Sequence, residues 1–391
     1  MSFIHFGCWN KNFCDPNDKH KNGLSQVINS LLTQEKRIPS FYIINGDNYY
    51  PSKSIETGNK QKYFNKTNFV SGFNCIQKLQ EIAPIYMLMG NHDLEYEKNM
   101  FDSQNINNKV NPCTIINQER IFNGPNDFLN FDRYHITIEN TIIFFINSII
   151  YTNDLYDKND IVNIECLKQY RYLEKEYLIT LDNIINYDED IIMLIIKYYK
   201  DKDLLKYFKN IVVCGHHPIV SRRDKYNDDG KKKSIKRPLN NKGLVFLNKL
   251  YDEFPNFEKF YLCADVHQYQ KGAVILGNNT ITQYVVGTGG TDCDEECVPF
   301  PEPPITEFDK VNKLEKTTSI LKSFQLLDCI RSHGYQYCYI DKFGNLLCEF
   351  ISTGSCFPNA PPTPDKGGYR KKQKTKKNKK TKTKKRQKPK Y

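Results

Sequence analysis

The sequence contains no apolar run that approaches the ~18 residues of a membrane-spanning helix. Its start also lacks the charged segment and apolar segment of a secretory signal, because Met1 leads directly into the strand-like residues 3–6 (FIHF). We therefore expect no transmembrane segment and no export by a signal peptide. The predicted location is intracellular, in the cytoplasm.

The 13 cysteines are an odd number, and no secretory signal accompanies them. This combination predicts free thiols in a reducing compartment. The spacing of Cys293 and Cys297 could supply two of the four ligands of a metal site, but no matching histidine pair accompanies them. We interpret that segment as an ordinary loop.

Residues 370–391 contain no Asp or Glu and 14 Lys or Arg; subtracting these 14 charges from the net +11 leaves −3 for the other 369 residues. Such a segment repels itself and buries nothing, which predicts a disordered basic tail behind a Pro- and Gly-containing linker at 353–369. The tail could bind nucleic acid or an acidic surface without sequence preference and with strong salt dependence. A solubilising or nuclear-targeting tail is the alternative.

Four apolar, strand-like runs each end in polar residues. They are residues 43–50 (IINGDNYY), 85–93 (IYMLMGNHD), 211–218 (IVVCGHHP) and 260–267 (FYLCADVH). In open α/β sheets ligands collect beyond the carboxyl ends of the strands, where these polar residues stand. Asp, Asn, His and Tyr together suit zinc, iron or manganese, and two such ions commonly clamp a phosphoryl group.

Three of these blocks resemble those of a known family. Residues 46–50 match the block Gly-Asp-Asn-aromatic-Tyr, residues 90–93 match Gly-Asn-His-Asp, and residues 215–218 are close to Gly-His-aromatic-Pro. On these residues the chain resembles the calcineurin-like metallophosphoesterases and, within them, the purple acid phosphatases. The Asn-, Lys-, Ile- and Tyr-rich composition, with its Lys-rich tail, also resembles that of proteins from giant DNA viruses, which implies the host cytoplasm or the virion.

The resemblance implies a role for each matching residue. Asp47 would bridge two divalent or mixed-valence metal ions (Zn, Fe or Mn), Tyr50 and His267 would bind metal one, Asn91 and His216 would bind metal two, His92 would act beside the leaving group as an acid or electrostatic stabiliser, and His217 would line the substrate pocket. The implied fold is an α/β protein, a four-layer α/β/β/α sandwich.

Two positions depart from the family pattern, and both are ligand positions. Cys8 stands where the first motif has an aspartate, and Asp265 stands where the last motif has a histidine. A thiolate and a carboxylate both bind metals, so we expect an altered site, with Cys8 favouring zinc or ferrous iron and Asp265 favouring manganese, magnesium or zinc. A buried apolar role for Cys8 and a capping or supporting role for Asp265 are the alternatives.

These residues predict metal-dependent hydrolysis of phosphate esters, with monoesters preferred over diesters because of the Asp-Asn-Tyr-Tyr block. A bridging hydroxide would attack phosphorus in line with the leaving oxygen. The alternative is a catalytically impaired pseudophosphatase, a binding or virion module whose tail contacts nucleic acid.

The predicted catalytic domain spans residues 1–352. Helix-like stretches such as 167–181 predict a helical insertion at about 157–210, and the proline-dense segment 299–304 predicts a loop excursion at about 296–325 that ends near Phe324. Residues 281–287 and 335–340 predict strands, the second continuing into a hairpin. Residues 287–290 (GTGG) lack the lysine and helix of a phosphate loop and predict a tight turn.

Overall fold

Two β-sheets carry the metal motifs in the structure, a computed structural model. It describes residues 1–15, 22–50, 52–53, 62–94, 101–102, 105–109, 113, 134–152, 166–168, 180–226, 232–236, 239–293, 297 and 320–355. Within these residues, one main sheet has five strands in the order β18-β17-β1-β2-β5, and the other has seven in the order β16-β14-β15-β13-β10-β9-β8. Residues 1–358 form one compact unit.

The elements have the following bounds. The strands are β1 (Ser2–Phe6), β2 (Phe41–Asn45), β3 (Ser52–Lys53), β4 (Lys62–Phe64), β5 (Ile85–Leu88), β6 (Phe101–Asp102), β7 (Asn105–Lys109), β8 (His135–Ile138), β9 (Thr141–Phe145), β10 (Asn210–Cys214), β11 (Ser221–Tyr226), β12 (Lys232–Lys236), β13 (Glu258–Cys263), β14 (Tyr269–Leu276), β15 (Asn279–Val286), β16 (Leu321–Ile330), β17 (Ser332–Ile340) and β18 (Leu346–Ser355). The longer helices are α1 (Gly23–Thr33), α2 (Lys66–Gln80), α3 (Leu181–Asp201) and α4 (Asn241–Asp252).

The central strands of both sheets are parallel, and β2 and β10 are buried along their whole length, as the apolar runs predict. Register pairs Phe6 with Ile44 and Asn45 with Leu88 in the first sheet, and Cys214 with both Phe145 and Leu262 in the second. Neighbouring strands therefore end side by side. Their polar continuations emerge along one edge of each sheet.

Helix α1 shows how sequence sets the outer layers. Its N-cap Asn22 accepts a hydrogen bond from the Ser25 backbone N–H. Leu24, Val27, Ile28 and Leu31 follow at helical spacing, and all four are buried in the core that both sheets share. Residues of α1 lie in contact with β17 and with α2, so these helices cover the first sheet, whereas α4 contacts β15 of the second. The mixed α/β sandwich is confirmed.

The β-rich end of the domain agrees with its prediction. Strands β17 and β18 form an antiparallel hairpin, and β15 contains the predicted strand at 281–286. The 287–290 segment is a tight turn, in which the Gly289 N–H donates to the Gly7 carbonyl. Gly290 has φ +153°, and a Cβ there would meet Leu24, so glycine is required at this position.

The structure locates some of the predicted boundaries, and others fall outside the residues that it describes. Strand β16 begins at Leu321, so the excursion ends before Phe324; Leu321, Phe324 and Leu326 are buried against the sheet. Helix α3 lies inside the predicted insertion at 157–210. The stretch 169–179, most of the excursion and all of the linker and tail from 356 onward lie outside the described residues. Among the described residues, no helix is long and apolar enough to cross a membrane.

The prediction of free thiols is wrong for most cysteines. Disulfides join Cys14 to Cys75, Cys113 to Cys166, Cys297 to Cys329 and Cys338 to Cys348, and Cys293 is also disulfide-bonded. Cys8, Cys214 and Cys263 are free and buried. Because disulfides are typical of oxidising environments, the cysteines no longer support a reducing compartment. Cys293 and Cys297 are both disulfide-bonded, so neither thiol is free to hold a metal ion.

A buried histidine in β1 should make the fold acid-labile. His5 is fully buried beside Gln336, and burial lowers its pKa from 6.5 to about 4, although the hydrogen bond to Gln336 partly offsets this. Between these values the unfolded chain binds a proton that the folded chain excludes. Stability is therefore lost as pH falls from 6.5 to about 4, by up to ~3 kcal/mol from this group.

Urea unfolding at several pH values should show this loss in the wild type and a flatter profile in His5→Asn. Asparagine can still donate to Gln336 but does not titrate. An equal loss in both proteins would assign the acid lability to other groups.

Candidate metal centre

The motif residues meet where the carboxyl ends of the two sheets approach each other. The Gly7 N–H at the end of β1 donates to the Val286 carbonyl at the end of β15, 3.0 Å away. A Cβ on Gly7 would lie 2.7 Å from the Ala264 Cβ and 2.9 Å from the Asn45 carbonyl oxygen. Only glycine allows this approach, and it brings the residues after β1, β2 and β13 together.

Three site residues have left-handed backbones. Cys8, Asp47 and Asp265 have φ values of 55°, 52° and 60°, and each lies just beyond the end of its strand. Non-glycine residues in this conformation store strain, and such strain clusters at functional sites. The Cys8 backbone is held on both sides, since its N–H donates to the Gly46 carbonyl and its carbonyl accepts from Thr291.

Asp47 is the centre of the cluster. It is buried, and its Oδ2 accepts a 2.7 Å hydrogen bond from the Tyr50 hydroxyl and lies 3.8 Å from the Cys8 Sγ. Its Oδ1 accepts from the His92 backbone N–H at 3.0 Å. The Tyr50 hydroxyl is also 3.2 Å from the His267 Nε2. The four residues that the sequence assigns to metal one, with Cys8 among them, therefore lie together.

The orientation of His216 is set by its Nδ1, which donates to the Asn45 carbonyl at 2.6 Å. A metal ion could bind this ring only at Nε2, after that nitrogen has lost its proton. That Nε2 is buried and 3.3 Å from the Asp47 Oδ1, yet it makes no hydrogen bond. The Asn91 Oδ1 is likewise buried without a hydrogen-bond partner. The His216 Nε2 and the Asn91 Oδ1 are therefore two buried atoms of the kind that a cation binds.

There are two sets of three potential ligand atoms, and within each set the atoms lie within 4.8 Å of one another. One set is Cys8, Asp47 and His216, and the other is His216, His217 and Asp265. The second set adds His217 to the potential ligands, whereas the sequence assigns it only to the substrate pocket. The ring of His92 stacks obliquely on Tyr50, with centroids 4.4 Å apart, so His92 stands at the edge of the first set.

Burial and neighbouring charge set the protonation of the cluster. Burial alone would raise the pKa of Asp47, but the charges of His216 and His92 outweigh it and hold that pKa well below its usual value. Burial lowers the pKa of His216, but the Asp47 carboxylate overrides this and raises it to about 9. Burial and then the Asp47 charge raise the pKa of Cys8 and of Tyr50. A bound cation would favour the ionised form of both groups.

Three residues that support the site, Asn45, Asp93 and Ser148, were not predicted from the sequence. The Asn45 side chain donates to the Gly215 and Leu262 carbonyls and so ties β2 to the ends of β10 and β13. Buried Asp93 accepts from the backbone N–H groups of Asn48, Tyr49 and Gly90 and so fixes the two loops around Asp47.

Ser148 lies just after β9, and its Oγ accepts from the backbone N–H groups of His216 and His217 and lies 3.1 Å from the His217 Nδ1. The signal for it was present in the sequence. The apolar run 142–146 ends in Asn147 and Ser148, the same pattern as the four motif strands.

Residues 1–269 match the sequence model of the family described as calcineurin-like phosphoesterase. The chain belongs to this family. The family implies a binuclear metal site, and the buried unpartnered atoms of His216 and Asn91 fit one. No curated protein matches the sequence significantly.

Similar solved structures have low identity to the chain. Purple acid phosphatase PPD1 from yellow lupin (Lupinus luteus) seeds is 12% identical with a TM-score of 0.46, and the match covers 90% of this chain and 51% of that one. GAP50, the anchor in the inner membrane complex of Plasmodium, is 11% identical with a TM-score of 0.43, covering 90% and 84%. PhoD is 11% identical with a TM-score of 0.44, covering 86% and 63%. The chain spans about half of the lupin protein, and none of these similarities carries an argument about function.

Proposed function

We propose that the protein hydrolyses phosphate esters with the help of two metal ions, and that it prefers monoesters. The observation that carries the proposal is the buried Asp47 carboxylate, whose Oδ1 lies 3.3 Å from the His216 Nε2 and whose Oδ2 lies 3.8 Å from the Cys8 Sγ. The family of the chain supports the reaction class. The Asp-Asn-Tyr-Tyr block at 47–50 supports the preference for monoesters.

The ligand assignment follows the contacts. Cys8, Asp47, Tyr50 and His267 would hold one ion, and Asp47, Asn91, His216 and Asp265 the other. When bound, zinc, iron or manganese would supply charge for the phosphate oxygens and an acidified water as the nucleophile.

The protein's own groups would do the rest. His92 stands at the edge of the cluster, with its backbone N–H tied to Asp47, where it can give a proton or a hydrogen bond to the departing oxygen. The Ser148 hydroxyl accepts two backbone N–H bonds, so its own proton points to the His217 Nδ1 and leaves the His217 Nε2 protonated. In that state His217 can donate a hydrogen bond to a substrate oxygen.

Elemental analysis of the purified protein, beside two aryl phosphates, tests the proposal. We expect about two metal ions per chain, and a kcat/KM for 4-nitrophenyl phosphate at least ~10-fold above that for bis(4-nitrophenyl) phosphate. If the protein contains no metal and turns over neither ester with added Mn²⁺, Zn²⁺ or Fe²⁺, the proposed hydrolysis is wrong and the pseudophosphatase hypothesis is favoured. The intracellular, host-cytoplasm or virion location and nucleic-acid binding by the tail stay predictions.

A further inference from the structure

A basic two-stranded ribbon stands beside the candidate metal centre. Strands β11 and β12 pair as an antiparallel ribbon whose 11 residues include one acidic residue and six basic ones. The basic residues are Arg222, Arg223, Lys225, Lys232, Lys233 and Lys236. The ribbon therefore carries +5 on a body, residues 1–369, whose net charge is −3.

The ribbon is anchored to the metal centre at its first strand. Strand β11 begins four residues after His217. The Gln270 side chain accepts from the Arg222 N–H at 3.1 Å and donates to the Arg222 carbonyl. Gln270 lies three residues after His267. The buried Gln283 side chain makes the same pair of contacts, accepting from the Ile219 N–H and donating to the Val220 carbonyl.

The returning strand is anchored there as well. After β12, Leu239 makes a β-bridge with Thr152, and the Asn240 N–H donates to the Tyr151 carbonyl at 2.7 Å. Tyr151 is the last residue of the short helix that begins at Ser148, and Thr152 follows it. The Ser148 hydroxyl in turn accepts from the backbones of His216 and His217. Both ends of the ribbon therefore start from segments that carry site residues.

The charge arrangement favours an anionic partner. Register places Lys225 directly opposite Lys233, and like charges in this position destabilise a strand pair unless an anion neutralises them.

The size and composition of the ribbon suggest which anion. Five or six strand residues span roughly 17–20 Å, a length that can contact several successive phosphates of a nucleic-acid strand. One aromatic residue and one isoleucine among the 11 give little apolar surface for a membrane or protein partner.

We propose that the ribbon holds the backbone of a nucleic-acid strand whose terminal phosphate enters the metal centre, an inference that rests on the proposed hydrolysis. Water would then cleave the terminal P–O bond, releasing inorganic phosphate and leaving a hydroxyl on the strand.

The test compares two double variants of the full chain, each of which loses two positive charges. Lys225→Gln with Lys233→Gln removes the opposed pair of the ribbon. Lys197→Gln with Lys200→Gln removes two exposed lysines of α3 and is the control. Both keep the basic tail, so its contribution cancels. The probe is a 5′-phosphorylated, 3′-fluorescent 20-nucleotide single strand, followed by anisotropy and by phosphate release.

We expect the ribbon variant to raise the Kd at least ~5-fold and to lower the slope of log K against log salt by ~1.4, since each lost phosphate contact in a single strand contributes ~0.7. Its KM for the oligonucleotide should rise, while its kcat/KM for 4-nitrophenyl phosphate should stay within about twofold. The control should match the wild type.

Equal Kd and salt slope in the two variants would overturn the inference. So would weaker binding of the ribbon variant to phosphatidylserine vesicles with unchanged oligonucleotide binding, which would assign the ribbon to a membrane surface. Because anisotropy needs no turnover, weakened oligonucleotide binding by a protein that hydrolyses no ester would refute the proposed function and keep the ribbon as a nucleic-acid surface.

Discussion

Replacing Asp47 with asparagine should lower the kcat for 4-nitrophenyl phosphate by at least ~10³-fold and reduce bound metal to less than one ion per chain. Asp47 contacts residues of both ligand groups, with Tyr50 and Cys8 on one oxygen and His216 facing the other. An amide of the same size removes the charge that both cations would share. Asparagine also tolerates the left-handed backbone at φ 52°, so the change tests the carboxylate rather than the turn.

Asp203→Asn is the matched control. Asp203 has nearly the same backbone, φ 53°, but it lies on the surface, where it pairs with Lys206. We expect normal activity and metal content in this variant, because an exposed ion pair contributes little. Full activity in Asp47→Asn would contradict the proposed site, whatever its metal content.

Replacing Cys8 with aspartate should lower the affinity for Zn²⁺ relative to Mn²⁺ by about 100-fold, because a soft thiolate selects zinc and a carboxylate suits manganese. The geometry supports a ligand role. The Cys8 Sγ is buried, lies 3.8 Å from the Asp47 Oδ2 and belongs to a set of three ligand atoms within 4.8 Å. Aspartate also tolerates the φ of 55°.

Cobalt gives a readout independent of turnover. Protein loaded with Co²⁺ should show a near-ultraviolet charge-transfer band from a thiolate ligand, and both Cys8→Asp and Cys8→Ser should lose it. Cys263→Ser is the control, since Cys263 is also buried and free, but its thiol donates to the Tyr284 carbonyl and belongs to neither set of ligand atoms. A band that persists in Cys8→Asp would show that Cys8 is a buried apolar residue and not a ligand.

The sequence predicted the strands of the site well, for a physical reason. A short apolar run with glycine and polar residues at its end is typical of a buried parallel strand, and β2, β5, β10 and β13 all follow this pattern. The same pattern at β9 predicts a fifth polar end, where Ser148 lies. Local composition was enough because burial on both faces leaves few residue types for such a strand.

The cysteines show where this reasoning fails. An odd count and the absence of a signal pattern said nothing about which thiols come within bonding distance. Cys14 and Cys75 are 61 residues apart, and they meet because the loop after β1 packs on α2. Pairing depends on the positions of two Cα atoms in space, and that information is not local.

The sequence by itself determined which chemical groups the site contains, because the strand-end residues supply carboxylate, imidazole, amide, phenol and thiol groups, and it determined the charge of the tail. Only the tertiary structure decided how these groups meet. The close approach at Gly7 brings the two sheet edges together, and the Asn45 carbonyl selects the His216 tautomer. The anchored ends of β11 and β12 place a basic ribbon beside the cluster. Strand register and sheet packing join residues more than 200 positions apart, and no local pattern encodes such a contact.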